Sequence, residues 1–327
     1  MGMATNTKSQ VRGPRSLLEA VRYFSDPELA FNFVRELRWP DGQPVCPHCQ
    51  GTDPYFLATR RIWKCRKCRK QFSLKVGTIF EDSPIGWEKW LPAMWLISNS
   101  KNSISSHELA RALSVTQKTA WFMLHRIREA MEARTFERLT GTVEADETYI
   151  GGLARNMHRS RHKTAVKNRG GVWDKMAVAG QVERGGPVQA QVITDTAKRA
   201  MHRTIHAHVE EGSTLYTDEW KSYGGLDAHY AHKTVNHSQE YVSGDVHTNT
   251  MESFWSLLKR ALKGTQIHVS KEHLPRYVTE RTFAYNHRLT DDLGRMRMAL
   301  GGVDGRRVTW KELTYKPRDP RNLWWRS

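Results

Sequence analysis

Cysteine is scarce in this 327-residue chain: there are four, arranged as two C-x-x-C pairs, Cys46-Pro47-His48-Cys49 and Cys65-Arg66-Lys67-Cys68. A disulfide framework would need an export signal. The basic start, Lys8 to Arg15, lacks the apolar stretch that a secretory signal would place after it, so a reducing, cytoplasmic setting is expected. Long hydrophobic runs are missing too. No apolar segment approaches the roughly 18 residues that a spanning helix needs, which sets a membrane aside as partner. Acid is the third shortage: 34 Asp and Glu stand against 51 Lys and Arg, a formal charge of +17. Such an excess calls for a polyanionic partner, with nucleic acid ahead of an anionic lipid surface. What is plentiful is core-forming material. With 39% hydrophobic residues and 12 tryptophans, the chain can bury a sizeable core and divide into more than one domain.

The cysteine pairs have the ligand spacing of a tetrahedral zinc site, in which each tight turn supplies two thiolates. A redox site would need only one pair, beside a βαβ pattern. We therefore read a structural zinc ribbon with Cys46, Cys49, Cys65 and Cys68 as ligands and His48 as a bystander. Arg60, Arg61, Lys64, Arg66, Lys67, Arg69 and Lys70 ring the second pair. They make the ribbon a basic surface, and their charge is expected to lower the thiol pKa values. Arg60, Arg61, Arg66 and Lys67 are the ribbon's candidate DNA contacts; a plain solvated charge run is the bland alternative.

Before the ribbon, Leu17 to Leu37 carries apolar residues at helical spacing, interrupted at Ser25-Asp26-Pro27. The ribbon should be short hairpins over Tyr55 to Trp63 and Gln71 to Val76, with helix beginning between Phe80 and Trp95. Ser105 to Glu108 offers a capping box, Ser114-Val115 a turn, and Thr116 opens a longer helix. Two helices joined by a short turn, the second with a polar, cationic start, fit a helix-turn-helix, and a plain helical hairpin fits as well. In the first case Gln117 and Lys118 would enter a groove, and Arg126 and Arg128 would meet phosphates.

From Thr140 the texture turns to strands. Expected are strands at Gly141 to Gly152, Met176 to Val182, Val188 to Thr194 and Ser213 to Thr217, a helix at Ala197 to Glu210 and an amphipathic helix at Met251 to Leu262. That order matches an α/β, RNase H-like domain with a mixed sheet. It would bring together Asp146 on the first strand, Asp218 at the end of a later strand, and Glu252 on the late helix. Carboxylates converging in a basic protein suit Mg²⁺ or Mn²⁺ held together with substrate phosphate oxygens. Each acid also has an ordinary reading: Asn249-x-x-Glu252 as a capping box, Asp218 as a turn former, Asp146 as the partner of an arginine. Glu144, Glu147, Asp174, Asp195 and Glu219 are rival carboxylates. Strand alternation puts Glu147 on the face opposite Asp146, so at most one of the two should enter a shared site.

These motifs occur together and in order: the ribbon, Gly77-Thr78-Ile79-Phe80-Glu81-Asp82-Ser83, the two-helix segment, Asp146-Glu147-Thr148-Tyr149-Ile150-Gly151-Gly152, Thr217-Asp218, and His247-Thr248-Asn249-Thr250-Met251-Glu252-Ser253-Phe254-Trp255. From about Leu17 to Arg288 the chain resembles bacterial insertion-sequence transposases with an N-terminal zinc ribbon and a DDE catalytic domain, the ISXO-two-like group of insertion sequence family 1595. The resemblance implies that Asp146, Asp218 and Glu252 bind the catalytic metal, Mg²⁺ or Mn²⁺, with Asn249 accessory; Lys259, two helical turns beyond Glu252 and on nearly the same face, would approach a DNA phosphate. It implies no role for His247. A multidomain chain follows: helical lead-in 1–41, zinc ribbon 42–80, helix-turn-helix 81–138, RNase H-like domain 139–290, tail 291–327. The activity implied is binding of element ends, cleavage, and transfer of 3′ ends to target DNA. The expected partners are double-stranded DNA and further copies of the chain on that DNA, in the bacterial nucleoid. A catalytically silent DNA-binding regulator, or a nuclease without strand transfer, is the rival reading. The basic run Arg155, Arg159, Arg161, Lys163, Lys167 and Arg169 would follow DNA or form a flexible, solvated loop, and Trp324-Trp325 would dock on a second copy or on the core.

Overall fold

A computed structural model describes residues 13–133, 135–151, 175–235 and 247–315; the basic run from Arg155 to Arg169, Asp174 and the Trp324-Trp325 pair lie outside them. The chain divides into two compact units: residues 1–100, 104–130 and 290–327, and residues 101–103 with 131–289.

The first unit begins with helices α1 (Leu17–Ser25) and α2 (Pro27–Arg38). They break where the sequence predicts, because Asp26 caps α2 by accepting from the Glu28 and Leu29 amides and Pro27 follows as its first residue. A three-stranded antiparallel sheet follows: β1 (Pro54–Leu57), β2 (Ile62–Cys65) and the two-residue β3 (Gln71–Phe72). The third strand is shorter than its alternating pattern suggests, since the chain leaves the ladder at Phe72 to make turns. This sheet is welded to α2 by aromatics. Trp63 stacks on Phe31 at 5.8 Å and on Phe72 at 6.0 Å, and Trp39 meets it edge-on at 4.9 Å. Arg38 adds hydrogen bonds to the carbonyls of Leu74 and Val76.

Helices α3 (Trp87–Asn99), α4 (Ser106–Leu113) and α5 (Gln117–Ala130) complete the N-terminal part of this unit. Ser105 caps α4 through the Glu108 amide, and Thr116 does the same for α5 through Thr119. Residues 290–315 belong to the same unit and carry two more helices, Asp292–Gly301 and Trp310–Thr314.

The second unit is built on a mixed five-stranded sheet in the order β6-β5-β4-β7-β8. Its strands are β4 (Thr142–Ile150), β5 (Met176–Glu183), β6 (Val188–Ile193), β7 (Thr214–Asp218) and β8 (Ala231–Val235). The first three form an antiparallel meander, while β7 and β8 run parallel to β4. Both faces are covered. Helix α6 (Lys198–His208) sends Met201 and Ile205 into a cluster with Val143, Ala145, Leu215 and Tyr223. Helices α7 (Asn249–Arg260) and α8 (Leu274–Asn286) bury Met251, Trp255, Leu258 and Tyr277 against Val178, Val182 and Val188. No helix among the described residues is long and apolar enough to cross a membrane.

Candidate functional site

The cysteines form the first candidate centre. Their four Sγ atoms lie within 4.8 Å of one another, with Cys46 to Cys68 at 3.7 Å and Cys49 to Cys65 at 3.6 Å. Four sulfurs at about 2.3 Å from a central tetrahedral ion would be about 3.8 Å apart, so the set fits zinc without rearrangement. The four thiols are unpaired as disulfides. The Cys65 thiol is drawn down to about 7, first by the Cys68 backbone amide, which donates to it. At Cys49 the Gly51 backbone hydrogen bond is the largest single influence and lowers the thiol, but burial and the three neighbouring thiols together raise it to about 11. Backbone amides, and not the surrounding cations, are thus the main cause of the lowered thiol. His48 stands outside the cluster.

Of the ribbon cations, Arg60 and Lys67 are exposed. Arg61 pairs with Glu28, and Arg66 pairs with Asp53 at 3.2 Å; all four partners are solvent-facing, so these pairs are weak. Gln117 and Lys118 are exposed at the start of α5, where Gln117 donates to Ser106 at 2.8 Å and Lys118 lies 4.4 Å over the Trp310 ring. The expectation for Arg126 and Arg128 fails. Arg126 is buried and gives its donors to the carbonyls of Val308 and Glu81, and Arg128 is buried as well, so both serve the unit's interior. Lys259 is half-buried on α7.

The second candidate centre lies where β4 and β7 part. Their ladder runs from Thr142↔Thr214 to Glu144↔Tyr216 and stops, whereas β4 continues to Ile150 against β5. Two residues beyond the last pair stand Asp146 and Asp218, side by side at the diverging carboxyl ends of parallel strands. In open α/β sheets this is where ligands are bound. Glu147 joins them, its carboxylate and those of Asp146 and Asp218 all falling within 4.8 Å. This corrects the expectation from alternation. The Glu147 side chain does start on the α6 face, where Tyr223 donates to it at 2.6 Å, but with no β7 residue alongside, its carboxylate reaches the open edge. Glu252, exposed in the first turn of α7, lies outside that cluster, though its charge is felt at Asp146.

Other ties fix these groups. The Trp255 indole donates to Asp146 at 2.9 Å, and the Trp220 amide donates to Asp218 at 3.1 Å. Gly180, paired with Asp146 across β4 and β5, lets α7 come close: a Cβ there would stand 2.5 Å from Met251 Cε and 2.7 Å from the Trp255 ring. The capping box that is the ordinary reading of Asn249-x-x-Glu252 does not form. Thr248 is the N-cap residue, makes no side-chain cap bond, and leaves Asn249 exposed as the first helical residue. Among the rival acids, Glu144 is fully buried and committed to the start of α7.

Burial pushes the Asp146 carboxyl up to about 6, with Asp218 and Glu252 adding to the rise and bonds from the Glu147 backbone and Trp255 opposing it. Burial likewise lifts Glu147 to about 7, against the lowering bond from Tyr223. Crowded, half-buried carboxylates that keep their protons too long are a donor set suited to a hard divalent cation, which would relieve their repulsion. Both folded values lie above the ordinary 3.8 and 4.5. At these two carboxyls the metal-free folded chain therefore holds more protons than the unfolded one between about pH 4 and pH 7, and their contribution to stability falls as pH rises through that window. His202, His208, His232 and His287, lowered from 6.5 chiefly by burial, pull the opposite way as pH falls below that value. The metal-induced rise in Tm is accordingly the diagnostic quantity. Added Mg²⁺ or Mn²⁺ should raise Tm more at about pH 8 than at about pH 5, and an equal rise at both would count against a cation on these carboxylates.

Residues 138–286 match the ISXO2-like transposase domain, and residues 25–71 match the transposase zinc-ribbon domain. A protein of the transposable element ISH50 of Halobacterium salinarum is 30% identical over 270 residues, spanning 79% of this chain and 90% of that protein. The chain belongs to the IS1595 family of insertion-sequence transposases, with a zinc-ribbon domain followed by a DDE transposase domain.

Proposed function

We propose that this protein binds the ends of its own insertion sequence, cleaves the DNA there, and joins the freed 3′ ends to target DNA. The observation that carries the reading is the placement of Asp146 and Asp218 together where β4 and β7 diverge, within a chain of transposase family. In this reading the second unit is an RNase H-like domain, and Asp146, Asp218 and Glu252 hold the metal with Asn249 accessory. Bound Mg²⁺ or Mn²⁺ supplies activation of a water or 3′-hydroxyl and charge stabilisation at the scissile phosphate. Trp255 aims the Asp146 carboxylate and the Trp220 amide aims Asp218. Glu147, held by Tyr223, is a further acid within reach of the same cation. Lys259, on nearly the same face of α7 as Glu252, meets a DNA phosphate.

End recognition is assigned to the first unit. Helices α4 and α5 act as a helix-turn-helix, presenting Gln117 and Lys118 to a groove. A zinc ion held by Cys46, Cys49, Cys65 and Cys68 supports the ribbon, whose Arg60, Arg61, Arg66 and Lys67 contact the backbone. Double-stranded DNA is the partner, and two or more copies assemble on it to bring both ends together.

The test uses purified full-length protein and supercoiled donor DNA carrying the element's ends. With Mg²⁺, nicks at the element's 3′ ends and covalent joining of those ends to target DNA are expected. End binding with neither cleavage nor joining under any divalent metal would make the protein a silent regulator, and cleavage without joining would make it a nuclease.

A further inference from the structure

We propose that Glu144 is a positioning residue, whose buried carboxylate fixes the start of α7 against β4 and thereby sets where Glu252 stands relative to Asp146; this rests on the metal-site reading above. Helix α7 begins without a cap of its own, since the Thr248 side chain makes no capping bond. The missing acceptor comes from the sheet. Glu144 Oε2 accepts from the Thr250 amide at 2.8 Å and the Met251 amide at 3.0 Å, the second and third residues of the helix. These are the amides that an N-cap side chain ordinarily takes.

The other oxygen, Oε1, accepts from the Thr250 hydroxyl at 2.9 Å and from Arg184 Nε at 2.8 Å. Four donors fill the acceptor capacity of one carboxylate, which is 0% exposed. Arg184 compensates its charge, and the helix N-terminus adds favourable dipole. Arg184 in turn donates to the carbonyl and to Nδ1 of His247, and lies 4.7 Å over the Tyr216 ring of β7. A guanidinium only donates, so the 2.9 Å contact from Arg184 uses Nδ1 of His247 as acceptor. This gives His247 a place: it anchors the chain one residue before the N-cap.

A local serine or threonine cap would satisfy the same amides without saying where the helix sits. A cap supplied by the strand does both. Glu144 and Asp146 project from the same face of β4, two residues apart, and Glu252 directly follows Met251. One strand thus places Asp146 itself and, through Glu144, the residue next to Glu252. The Trp255 bond to Asp146 is a second tie one turn further along.

The experiment is a Mn²⁺ titration, followed by electron paramagnetic resonance, of the zinc-loaded full chain and of Glu144→Gln, Arg184→Lys and Glu252→Gln, together with the Mg²⁺ dependence of cleavage. Glutamine at 144 turns an NH₂ toward donors, so the helix start should shift. At a temperature well below Tm, Mn²⁺ affinity should weaken by about 10- to 100-fold, as for loss of a residue that orients ligands. The Mg²⁺ concentration for half-maximal cleavage should rise in step. A residue that only stabilises the fold would lower Tm and leave both quantities unchanged in the folded protein. If Glu144→Gln does not fold, Arg184→Lys, which keeps the charge but loses the fork, should show a smaller shift of the same sign. Unchanged Mn²⁺ affinity in the folded variants, with Glu252→Gln weakened, would overturn the positioning role and leave the metal site standing. Unchanged affinity in Glu252→Gln itself would remove Glu252 from the site, and the role of Glu144 with it.

Discussion

Asp146→Asn and Asp218→Asn should each abolish cleavage and joining while leaving folding and end binding nearly intact. Both substitutions remove charge without removing the hydrogen-bond acceptor. In the first variant the asparagine carbonyl still accepts from the Trp255 indole, and in the second it still accepts from the Trp220 amide. Relief of burial and repulsion at Asp146 should even raise Tm slightly in the metal-free protein. The loss should exceed about a thousandfold in rate, about 4 kcal/mol on the barrier. Glu252→Gln is expected to do the same. Because α7 is capped by Glu144 and not by Glu252, the glutamine variant has no capping role to preserve or lose. Glu147→Gln is the informative companion, since it keeps an acceptor for the Tyr223 hydroxyl. Turnover by supercoiled-donor assay ranks the four. Wild-type turnover in Glu252→Gln together with loss in Glu147→Gln would pass the third metal-binding role to Glu147, and full activity in Asp146→Asn would dissolve the site.

The sequence was most legible where one residue type has one good use. Paired cysteines on tight turns leave little but a tetrahedral site, and the structure gathers them at zinc-like spacing. The Asp26-Pro27 helix start was equally plain, because cap and first-turn proline act locally. Legibility fell where the decisive neighbour is remote in sequence. Strand β8 carries Ala231, His232, Lys233 and Thr234 before its buried Val235, so no alternating apolar pattern announces it. The Arg126 and Arg128 side chains look like phosphate ligands on a cationic helix; residues some 180 positions later supply the carbonyl that buries the first of them. Alternation placed Glu147 on the correct face and drew the wrong conclusion, since it knows nothing of where a neighbouring strand stops. Nothing in the sequence pattern announced Glu144's role. The helix expected at Met251 to Leu262 came with a local cap on offer, Asn249-x-x-Glu252, whereas the acceptor its first amides take lies 106 positions earlier on β4.

Removal of one thiolate from the ribbon should have the largest effect on stability. The β1–β3 sheet has few residues, and its interior is Trp63, Phe72 and the cysteines themselves, so metal-binding energy must serve as folding energy there, on the order of 10 kcal/mol in small modules of this kind. Two of the ligands, Cys46 and Cys65, are buried, and a serine hydroxyl at Cys46 would be both a poor zinc ligand and a desolvated polar group. Yet Trp63 is also stacked on Phe31 of α2, and Arg38 holds the carbonyls of Leu74 and Val76, so loss of zinc should loosen α2 along with the sheet. Cys46→Ser or Cys68→Ser, or chelation of the wild type, should therefore cost zinc, expose the segment around Arg60 to Lys70 to protease, and cancel end binding. The second unit has its own two-faced core and should keep its metal-induced rise in Tm. Metal analysis under reducing conditions decides the matter. One zinc per chain in the wild type and none in the variants is expected; a wild-type value far below one, or a zinc-free variant that still selects element ends, would take the metal out of recognition.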